Sequence, residues 1–161
     1  MNALAKLLPL SHVLLDMDVS SKKRLFEQVG LLFENQRGIA SNAVYEALFM
    51  RERLGSTGLG QEIAIPHGRI KGLREPVGAL LRLRAPVPFE SPDGKPVRLA
   101  FVMLVPENAN QRHLELLSEL AELFSDRELR ARLFSEPETR TVHELFIHWQ
   151  PHAANKHRAA G

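Results

Sequence analysis

Apolar residues in the first third of the chain recur every three or four positions, which is the spacing of one buried helix face. They predict a helix over residues 21–36, whose inward side chains are Leu25, Phe26, Val29, Leu32 and Phe33. A second helix is predicted from Ser41, acting as its N-cap, to Gly55, because glycine is preferred just past a helix end. The cationic start of the first helix, residues 22–24, is interpreted as a solvated face, with a patch that docks a partner as the alternative.

Alternating or continuous apolar runs predict four strands. The first covers residues 12–15 and the second covers residues 63–65. Residues 77–83 alternate in polarity, and the face that carries Arg82 is expected to be the less buried one. Residues 97–105 are apolar on both faces after their first two positions, which predicts a central strand.

Three further helices are predicted after the central strand. Asn110 caps the first of them, whose inward stripe is Leu114, Leu117, Leu120, Ala121 and Phe124. The second runs from Asp126 to Phe134, and the third begins with a capping box at residues 141–144 and ends near Trp149. Since strands and helices are interleaved, the predicted fold class is α/β, a single-domain sandwich with a mixed β-sheet flanked by helices.

The composition is that of one domain without an obvious polyanionic partner. The 161 residues are expected to form a domain over residues 1–149 and a disordered tail over residues 150–161, which has no apolar face. With 21 basic and 19 acidic residues, the net charge of +2 favours neither nucleic acid nor membrane insertion. The chain has no cysteine, which excludes thiolate chemistry and suits a reducing compartment. Because no export signal is recognised, the expected location is cytoplasmic.

The most informative stretch of the sequence is RERLGSTGLGQEIAIPHGR, residues 51–69. Its glycines match neither common nucleotide-binding loop, because no lysine follows Gly60 and the run follows a helix and opens a strand. Elsewhere, His143 and His148 in HELFIH are five positions apart, which is too far around a helix to chelate one zinc ion. No metal site and no cofactor is therefore predicted.

Residues 51–69 instead predict a phosphate cradle. Arginine grips phosphate oxygens in pairs, glycines let backbone amides approach an anion, and hydroxyl groups add donors. The residues that would hold the anion are Arg51, Gly55, Ser56, Thr57 and Gly58. The plainer interpretation of the glycines is a turn, and that of Arg51 is a solvated charge or an ion pair with a neighbour such as Glu52.

Two histidines complete the candidate site. Pro66 has no amide hydrogen to pair and ends its strand, so His67 is presented at the strand end, on the face of Ile63 and Ile65. His113 lies in the first turn of the helix after the central strand, where free amides and the helix dipole favour an anion. An imidazole placed beside such a cradle can act as a nucleophile. The plainer interpretations are a hydrogen-bonded strand-end histidine and a surface histidine.

The run RERLGSTGLGQEIAIPHG closely resembles the phosphorylation motif of enzyme IIA of the fructose and mannitol class of the bacterial phosphotransferase system, especially its nitrogen-regulatory member. The resemblance covers about residues 10–148. It implies that His67 accepts the phosphoryl group, that Arg51 and the GST triplet hold it, and that His113, after MLVPEN, is the second active-site histidine. One departure is Glu62, where regulatory members often carry glycine, and it adds an anion near the expected site.

The resemblance implies a phosphohistidine carrier that takes its phosphoryl group from a small HPr-like protein, itself charged from phosphoenolpyruvate through an enzyme I. The attacking atom in the family is Nε2 of the histidine, and no metal is required. No transmembrane segment and no IIB or IIC domain is recognised in the chain, so action on regulatory target proteins is favoured. The alternatives are a sugar-transport IIA component that passes the phosphoryl group to a IIB domain, and a regulatory binding module that is not phosphorylated.

Overall fold

The apolar run Val97–Pro106 lies at the centre of a six-stranded mixed sheet in a computed structural model that describes residues 1–151. This strand, β6, pairs antiparallel with β5 and parallel with both β3 and β4, as expected of a segment that is buried on both faces. The sheet order is β1-β5-β6-β3-β2, with β4 also on β6. The other strands are β1 (Val13–Met17), β2 (Gly58–Gly60), β3 (Ile63–Ala64), β4 (His67–Ile70) and β5 (Val77–Val87).

Helices cover both faces of this sheet, so the predicted α/β sandwich is confirmed. The helices are α1 (Lys22–Arg37), α2 (Ser41–Glu52), α3 (Gln111–Ser125), α4 (Arg127–Ser135) and α5 (Thr139–Ile147). The first two pack on one face of the sheet and the last three, with the short helix Ala3–Leu7, pack on the other. The predicted disordered tail lies, from residue 152 onward, outside the described residues.

Two predicted helix caps are wrong. Ala40, not Ser41, occupies the N-cap of α2, and the amide of Ser41 donates to the carboxylate of Glu34 at 3.0 Å. The helix α5 begins at Thr139, two residues before the predicted capping box. Both helices thus begin before the position that the capping sequence indicated.

The buried stripe of α3 is also different from the predicted one. Leu114 is 60% exposed and Ala121 is exposed, whereas His113 and Leu116 are buried. The inward face of the helix is therefore formed by His113, Leu116, Leu120, Leu123 and Phe124. This rotation places a histidine on the sheet side of the helix and a leucine on its surface.

The expectation that the Arg82 face of β5 is less buried is wrong. Arg82 is only 6% exposed, and its Nη1 donates to the carbonyls of Leu133 and Glu136 at 2.8 and 2.7 Å. These carbonyls lie at the end of α4, where a helix has unpaired acceptors and favours a cation. Both faces of β5 are consequently covered.

Helix α2 and strand β4 approach each other closely at Gly68. A Cβ added to Gly68 would lie 2.9 Å from the carbonyl carbon and the Cβ of Ala47. Only glycine lets the two backbones come this near. The contact brings the C-terminal half of α2 beside His67, the first residue of β4.

Part of the glycine-rich run forms a hairpin, which the sequence did not predict. Strands β2 and β3 pair antiparallel across a turn in which Gln61 and Glu62 have φ values of +57° and +66°. These are left-handed conformations, which favour glycine over other residues. The Gln61 amide donates to the carboxylate of Asp93 at 2.9 Å, and this contact fastens the turn.

Candidate functional site

His67 stands at the gap between strands β3 and β4. It is 8% exposed, and its Nδ1 lies 2.8 Å from the carbonyl oxygen of Ile65. Because a carbonyl can only accept, Nδ1 carries the hydrogen and donates it. In the neutral ring, Nε2 therefore keeps a free electron pair. Ile63 and Ile65 belong to the core on the α3 side of the sheet, and the His67 ring contacts His113 of α3 on that same side, as the predicted placement requires.

The surroundings of His67 keep its ring neutral at neutral pH. Burial lowers the pKa of His67 below its usual 6.5, and the positive charges of Arg51 and Arg69 lower it further. The hydrogen bond to Ile65 and the charge of Glu52 act in the opposite direction. The net pKa is lowered, so the form with an unprotonated Nε2 predominates.

His113 lies beside His67 rather than on the open surface. It is 8% exposed, and the centroids of the two rings are 5.3 Å apart with an interplanar angle of 67°. Its Nε2 is buried and has no hydrogen-bond partner among residues 1–151. Burial lowers the pKa of His113, and so do His67 and Arg69. The two histidines named from the sequence thus lie together in the structure, and the surface interpretation of His113 is wrong.

Both rings line a cleft of about 930 Å³ that also takes in most of the predicted cradle. Arg51, Ser56, Thr57 and Gly58 line it, and Gly55 lies just outside the lining. The Nη1 of Arg51 donates to the carbonyl of Gly55 at 2.7 Å. The arginine thus folds over the loop that follows its own helix, and its charge acts on His67.

The polar groups of this loop hold partners inside the protein. The Ser56 hydroxyl donates to the carbonyl of Phe89 at 2.6 Å and accepts from the amide of Gly58 at 3.0 Å. The amide and the hydroxyl of Thr57 donate to the two carboxylate oxygens of Glu52 at 3.0 and 2.7 Å. These donors would have to exchange partners before they could face an anion in the cleft.

Glu62, the residue at which the sequence departs from the motif it resembles, lies away from the cleft. Glu62 sits in the β2–β3 turn, is not part of the cleft lining, and its backbone oxygen accepts from the amides of Arg98 and Leu99. Its positive φ explains why glycine suits this position.

Sequence reasoning missed Arg69 as a member of the site. Arg69 lines the cleft, and its Nη1 donates to the carbonyls of Glu107 and Ala109. These carbonyls belong to the segment that leads into α3, so Arg69 ties β4 to the start of the helix that carries His113. The only sequence signal was its place two residues after His67, on the same short strand.

Two charged residues near the loop were misinterpreted. Glu52 is 8% exposed and receives Lys22 Nζ at 3.0 Å, so it does not pair with Arg51. The Lys22 side chain is 14% exposed and its Nζ lies 4.5 Å from the centroid of the Phe89 ring. Lys22 is thus held by these contacts and does not belong to a solvated face.

Large apolar side chains surround the mouth of the cleft. They line the cleft and are all exposed: Met50 (67%), Leu54 (83%), Leu59 (39%) and Leu114 (60%). We call these four residues the apolar rim. Exposed apolar clusters of this kind on monomers commonly mark a contact with another macromolecule.

Comparisons with known proteins agree on one family. The model of the family described as phosphoenolpyruvate-dependent sugar phosphotransferase system, EIIA 2, matches residues 6–149. The nitrogen regulatory protein of Pseudomonas aeruginosa is 40% identical over 145 residues, which cover 89% of this chain and 94% of that protein. The crystal structure of nitrogen regulatory protein IIA-Ntr from Neisseria meningitidis superimposes with a TM-score of 0.85 and 51% identity, covering 89% of this chain and 99% of that one.

A transport protein is also similar to the chain. The fructose-specific EIIABC component of Bacillus subtilis is 32% identical over 131 residues, which are 81% of this chain and 21% of that protein. Among residues 1–151, no helix combines the length and the hydrophobicity needed to cross a membrane.

Proposed function

Because the chain belongs to the EIIA 2 family of the phosphoenolpyruvate-dependent sugar phosphotransferase system, we propose that it is a phosphohistidine carrier whose acceptor atom is Nε2 of His67. One observation carries this assignment. The hydrogen bond of 2.8 Å from Nδ1 to the Ile65 carbonyl leaves Nε2 as the nitrogen with the free electron pair. The neutral ring favoured by burial is the nucleophilic form.

In the transfer step, the electron pair of Nε2 attacks the phosphorus of a donor phosphohistidine. The new bond joins Nε2 to phosphorus, and the bond from phosphorus to the donor nitrogen breaks, with its electron pair returning to the donor ring. The His67 ring gains positive charge as the bond forms. The Ile65 carbonyl accepts from Nδ1–H and stabilises that charge.

The surrounding donors hold the transferring group by position and charge. His113 has its unpartnered Nε2 available as a donor to one phosphoryl oxygen. Arg51 is suited to a two-pronged contact with two oxygens. Gly55, Ser56 and Gly58 supply amides and a hydroxyl once their present hydrogen bonds have exchanged, whereas Thr57 lines the cleft and keeps its amide and hydroxyl on Glu52. No metal takes part in these contacts.

The donor in this proposal is an HPr-like phosphocarrier protein. A cleft whose mouth carries the apolar rim suits docking of a protein surface, since a small phosphorylated metabolite gains little from four exposed apolar side chains. The output is regulatory, through contacts with target proteins, as the names of the nitrogen regulatory relatives suggest. The proposed location is the cytoplasm. The fructose-specific relative supports the second candidate, a IIA component that passes the group to a IIB domain.

Phosphorylation of the whole chain tests this proposal. The protein is incubated with phosphoenolpyruvate, enzyme I and the HPr-like carrier, and its intact mass is measured. We expect a gain of one phosphate that is stable to alkali and labile to acid, that disappears in His67→Ala and that persists in His148→Ala. His148 is an exposed histidine remote from the cleft and pairs with Glu144 at 3.0 Å.

Two results separate the proposal from its alternatives. A phosphate that remains in His67→Ala contradicts the acceptor assignment, and the absence of any mass gain in the wild type favours an unphosphorylated binding module. Rapid transfer from the phosphorylated protein to a sugar-specific IIB domain favours the transport role.

A further inference from the structure

A buried carboxylate lies directly behind the loop of the candidate site. The Glu52 side chain is 4% exposed and accepts three hydrogen bonds: from Lys22 Nζ at 3.0 Å, from the Thr57 amide at 3.0 Å and from the Thr57 hydroxyl at 2.7 Å. A carboxylate with this many donors is firmly oriented. Glu52 itself does not line the cleft, so it cannot act on a phosphoryl group by direct contact.

An unbroken series of hydrogen bonds leads from this carboxylate to the acceptor ring. Thr57 donates to Glu52 through its amide and its hydroxyl, and its carbonyl accepts from the Ile65 amide at 3.0 Å. The Ile65 carbonyl then accepts from Nδ1 of His67 at 2.8 Å. Each hydrogen bond of the series therefore helps to fix the orientation of the next group.

Ile65 needs such an anchor because it lies outside both neighbouring strands. Strand β3 ends at Ala64 and β4 begins at His67, so neither pairing with β6 includes Ile65. Its amide bonds to Thr57 instead of to a strand of the sheet. The Pro66 carbonyl accepts from the Met103 amide of β6 at 2.9 Å, so the peptide that carries the Ile65 carbonyl is held by β6 on one side and by Thr57 on the other. The direction of that carbonyl, and hence of the His67 ring, therefore depends in part on where Thr57 is held.

The electrostatic setting of His67 also involves Glu52. Four charged or titratable side chains act on this ring or pack against it: Arg51 and Glu52 from α2, Arg69 from β4 and His113 from α3. Glu52 is the only anion among them within the described residues, and its charge opposes the two arginines.

We propose that Glu52 is a positioning residue for phosphoryl acceptance: through Thr57 and Ile65 it fixes the His67 ring with Nδ1–H on the Ile65 carbonyl and Nε2 facing the cleft. This inference rests on the proposed function for the phosphoryl step, whereas the hydrogen-bond series exists in the unphosphorylated protein. Lys22, on α1, holds the carboxylate in place and compensates its charge.

The first test is Glu52→Gln in the full chain. Glutamine keeps the shape but removes the charge and has one acceptor oxygen instead of two, so Lys22 and the Thr57 amide, which share Oε2, and the Thr57 hydroxyl, which bonds Oε1, can no longer all donate to it. We expect the fraction of His67 rings protonated at Nδ1 to fall, as read from ¹⁵N chemical shifts of the free protein. The pKa of His67 should fall below the wild-type value, because an anion has been removed, and single-turnover transfer should slow by about 10-fold.

A matched control separates this effect from a general loss of charge. Glu27→Gln removes a glutamate that is also ion-paired, to Arg24 at 3.0 Å, but lies on the exposed face of α1 away from the cleft. We expect it to leave the ¹⁵N shifts, the His67 pKa and the transfer rate at wild-type values. A folded Glu52→Gln variant that behaves like Glu27→Gln in all three measurements overturns the proposal and makes Glu52 a purely structural residue.

A double substitution distinguishes stability from positioning. Lys22→Met leaves a buried, uncompensated carboxylate and should lower the melting temperature, and adding Glu52→Gln should restore part of it. The proposal expects the tautomer shift and the slow transfer to persist in the double variant, because the Thr57 anchor is still weakened. If transfer recovers together with stability, the proposal is wrong.

A further pair of variants keeps the proposal testable if Glu52→Gln does not fold. Thr57→Ser retains the hydroxyl that donates to Glu52, and Thr57→Val removes it. In the unphosphorylated protein we expect only Thr57→Val to shift the His67 tautomer, and equal spectra for the two variants contradict the proposal. Since this measurement involves no phosphoryl group, it stands even if the wild type fails to be phosphorylated.

Discussion

The rings of His67 and His113 face each other edge to face, with centroids 5.3 Å apart, although they lie on a strand and a helix on either side of β6 in the chain. Strand β4 pairs parallel with β6, and α3 follows β6 in the chain. The first turn of α3 lies against the start of β4, where His113 meets His67. Arg69 of β4 holds the segment that leads into α3 by donating to the carbonyls of Glu107 and Ala109. One ring has a free electron pair and the other has an unpartnered ring nitrogen, which suits one acceptor and one supporting group.

Replacement of His113 should slow transfer without moving the acceptor. His113→Ala removes a donor to the phosphoryl group but leaves the Ile65 hydrogen bond of His67 intact. We expect phosphate still to form on His67, at a rate reduced about 10- to 1000-fold, the range for loss of one well-placed donor. Single-turnover kinetics with the HPr-like donor measure the rate, with His148→Ala as control. A wild-type rate in His113→Ala would mean that this ring only packs against His67.

Arg51→Lys is expected to be a poor substitute. An ammonium group keeps the charge, but it cannot bind two phosphoryl oxygens with one planar group. Transfer should slow while the melting temperature stays near that of the wild type, because Arg51 is half-buried and its bond goes to a carbonyl of the adjacent loop. The matched control is Arg53→Lys on the exposed end of α2, and equal rates in the two variants would contradict the role given to Arg51.

The sequence predicted an element correctly where its apolar residues fitted only one arrangement of buried positions. The apolar spacing of α1 gave its face and its bounds to within a residue, because the aromatic and aliphatic positions fit one stripe only. The run VRLAFVMLV predicted the central strand, since a strand with apolar side chains on both faces has to be covered by other elements on each face of the sheet. Both features depend on residues that are near neighbours in sequence.

Helix α3 shows where the pattern had two solutions. Leu114, Leu117 and Ala121 are spaced as well as His113, Leu116 and Leu120, and hydrophobicity alone selects the set without the histidine. The structure turns His113 inward because its ring packs on His67, and it leaves Leu114 on the apolar rim. The contact between the two histidine rings thus overrides the simplest burial rule.

The buried charges could not be predicted from local sequence. Glu52 is buried because Lys22 and Thr57 satisfy it, and Arg82 is buried because it bonds carbonyls about 50 residues away in the chain. A charged residue is placed inside only when such partners are supplied by tertiary structure. For the same reason, the role of the GST triplet stays a prediction, since its donors are engaged within the protein.

Acceptance by His67 should tolerate mildly acidic pH. Burial lowers the pKa of His67 below 6.5, so the neutral, nucleophilic ring persists at pH values where a free histidine is already half protonated. An NMR titration of the ring should give a midpoint below 6.5, and a midpoint at or above that value would contradict the buried setting described here.

The same shift has a consequence for stability. The unfolded chain binds a proton at His67 more readily than the folded protein, so this contribution to the free energy of unfolding is complete above about pH 6.5 and is lost as the pH falls below it. Urea unfolding at several pH values should show a weaker loss between neutral and acidic pH in His67→Gln than in the wild type. An identical pH dependence in the two proteins would contradict this.

The last prediction concerns Arg69, which acts on both rings. Its charge lowers the pKa of His67 and of His113, and its Nη1 ties the segment before α3 to β4. Arg69→Gln should therefore raise both pKa values and slow transfer, by up to about 100-fold if His113 moves by 1 Å. Arg69→Lys keeps the charge, but its ammonium group lies on a shorter side chain than the Nη1 that reaches both carbonyls, so it should slow transfer with nearly wild-type pKa values. Arg74→Gln, an exposed arginine away from the cleft, is the control, and unchanged pKa values in Arg69→Gln would show that this arginine is no closer to the chemistry than Arg74.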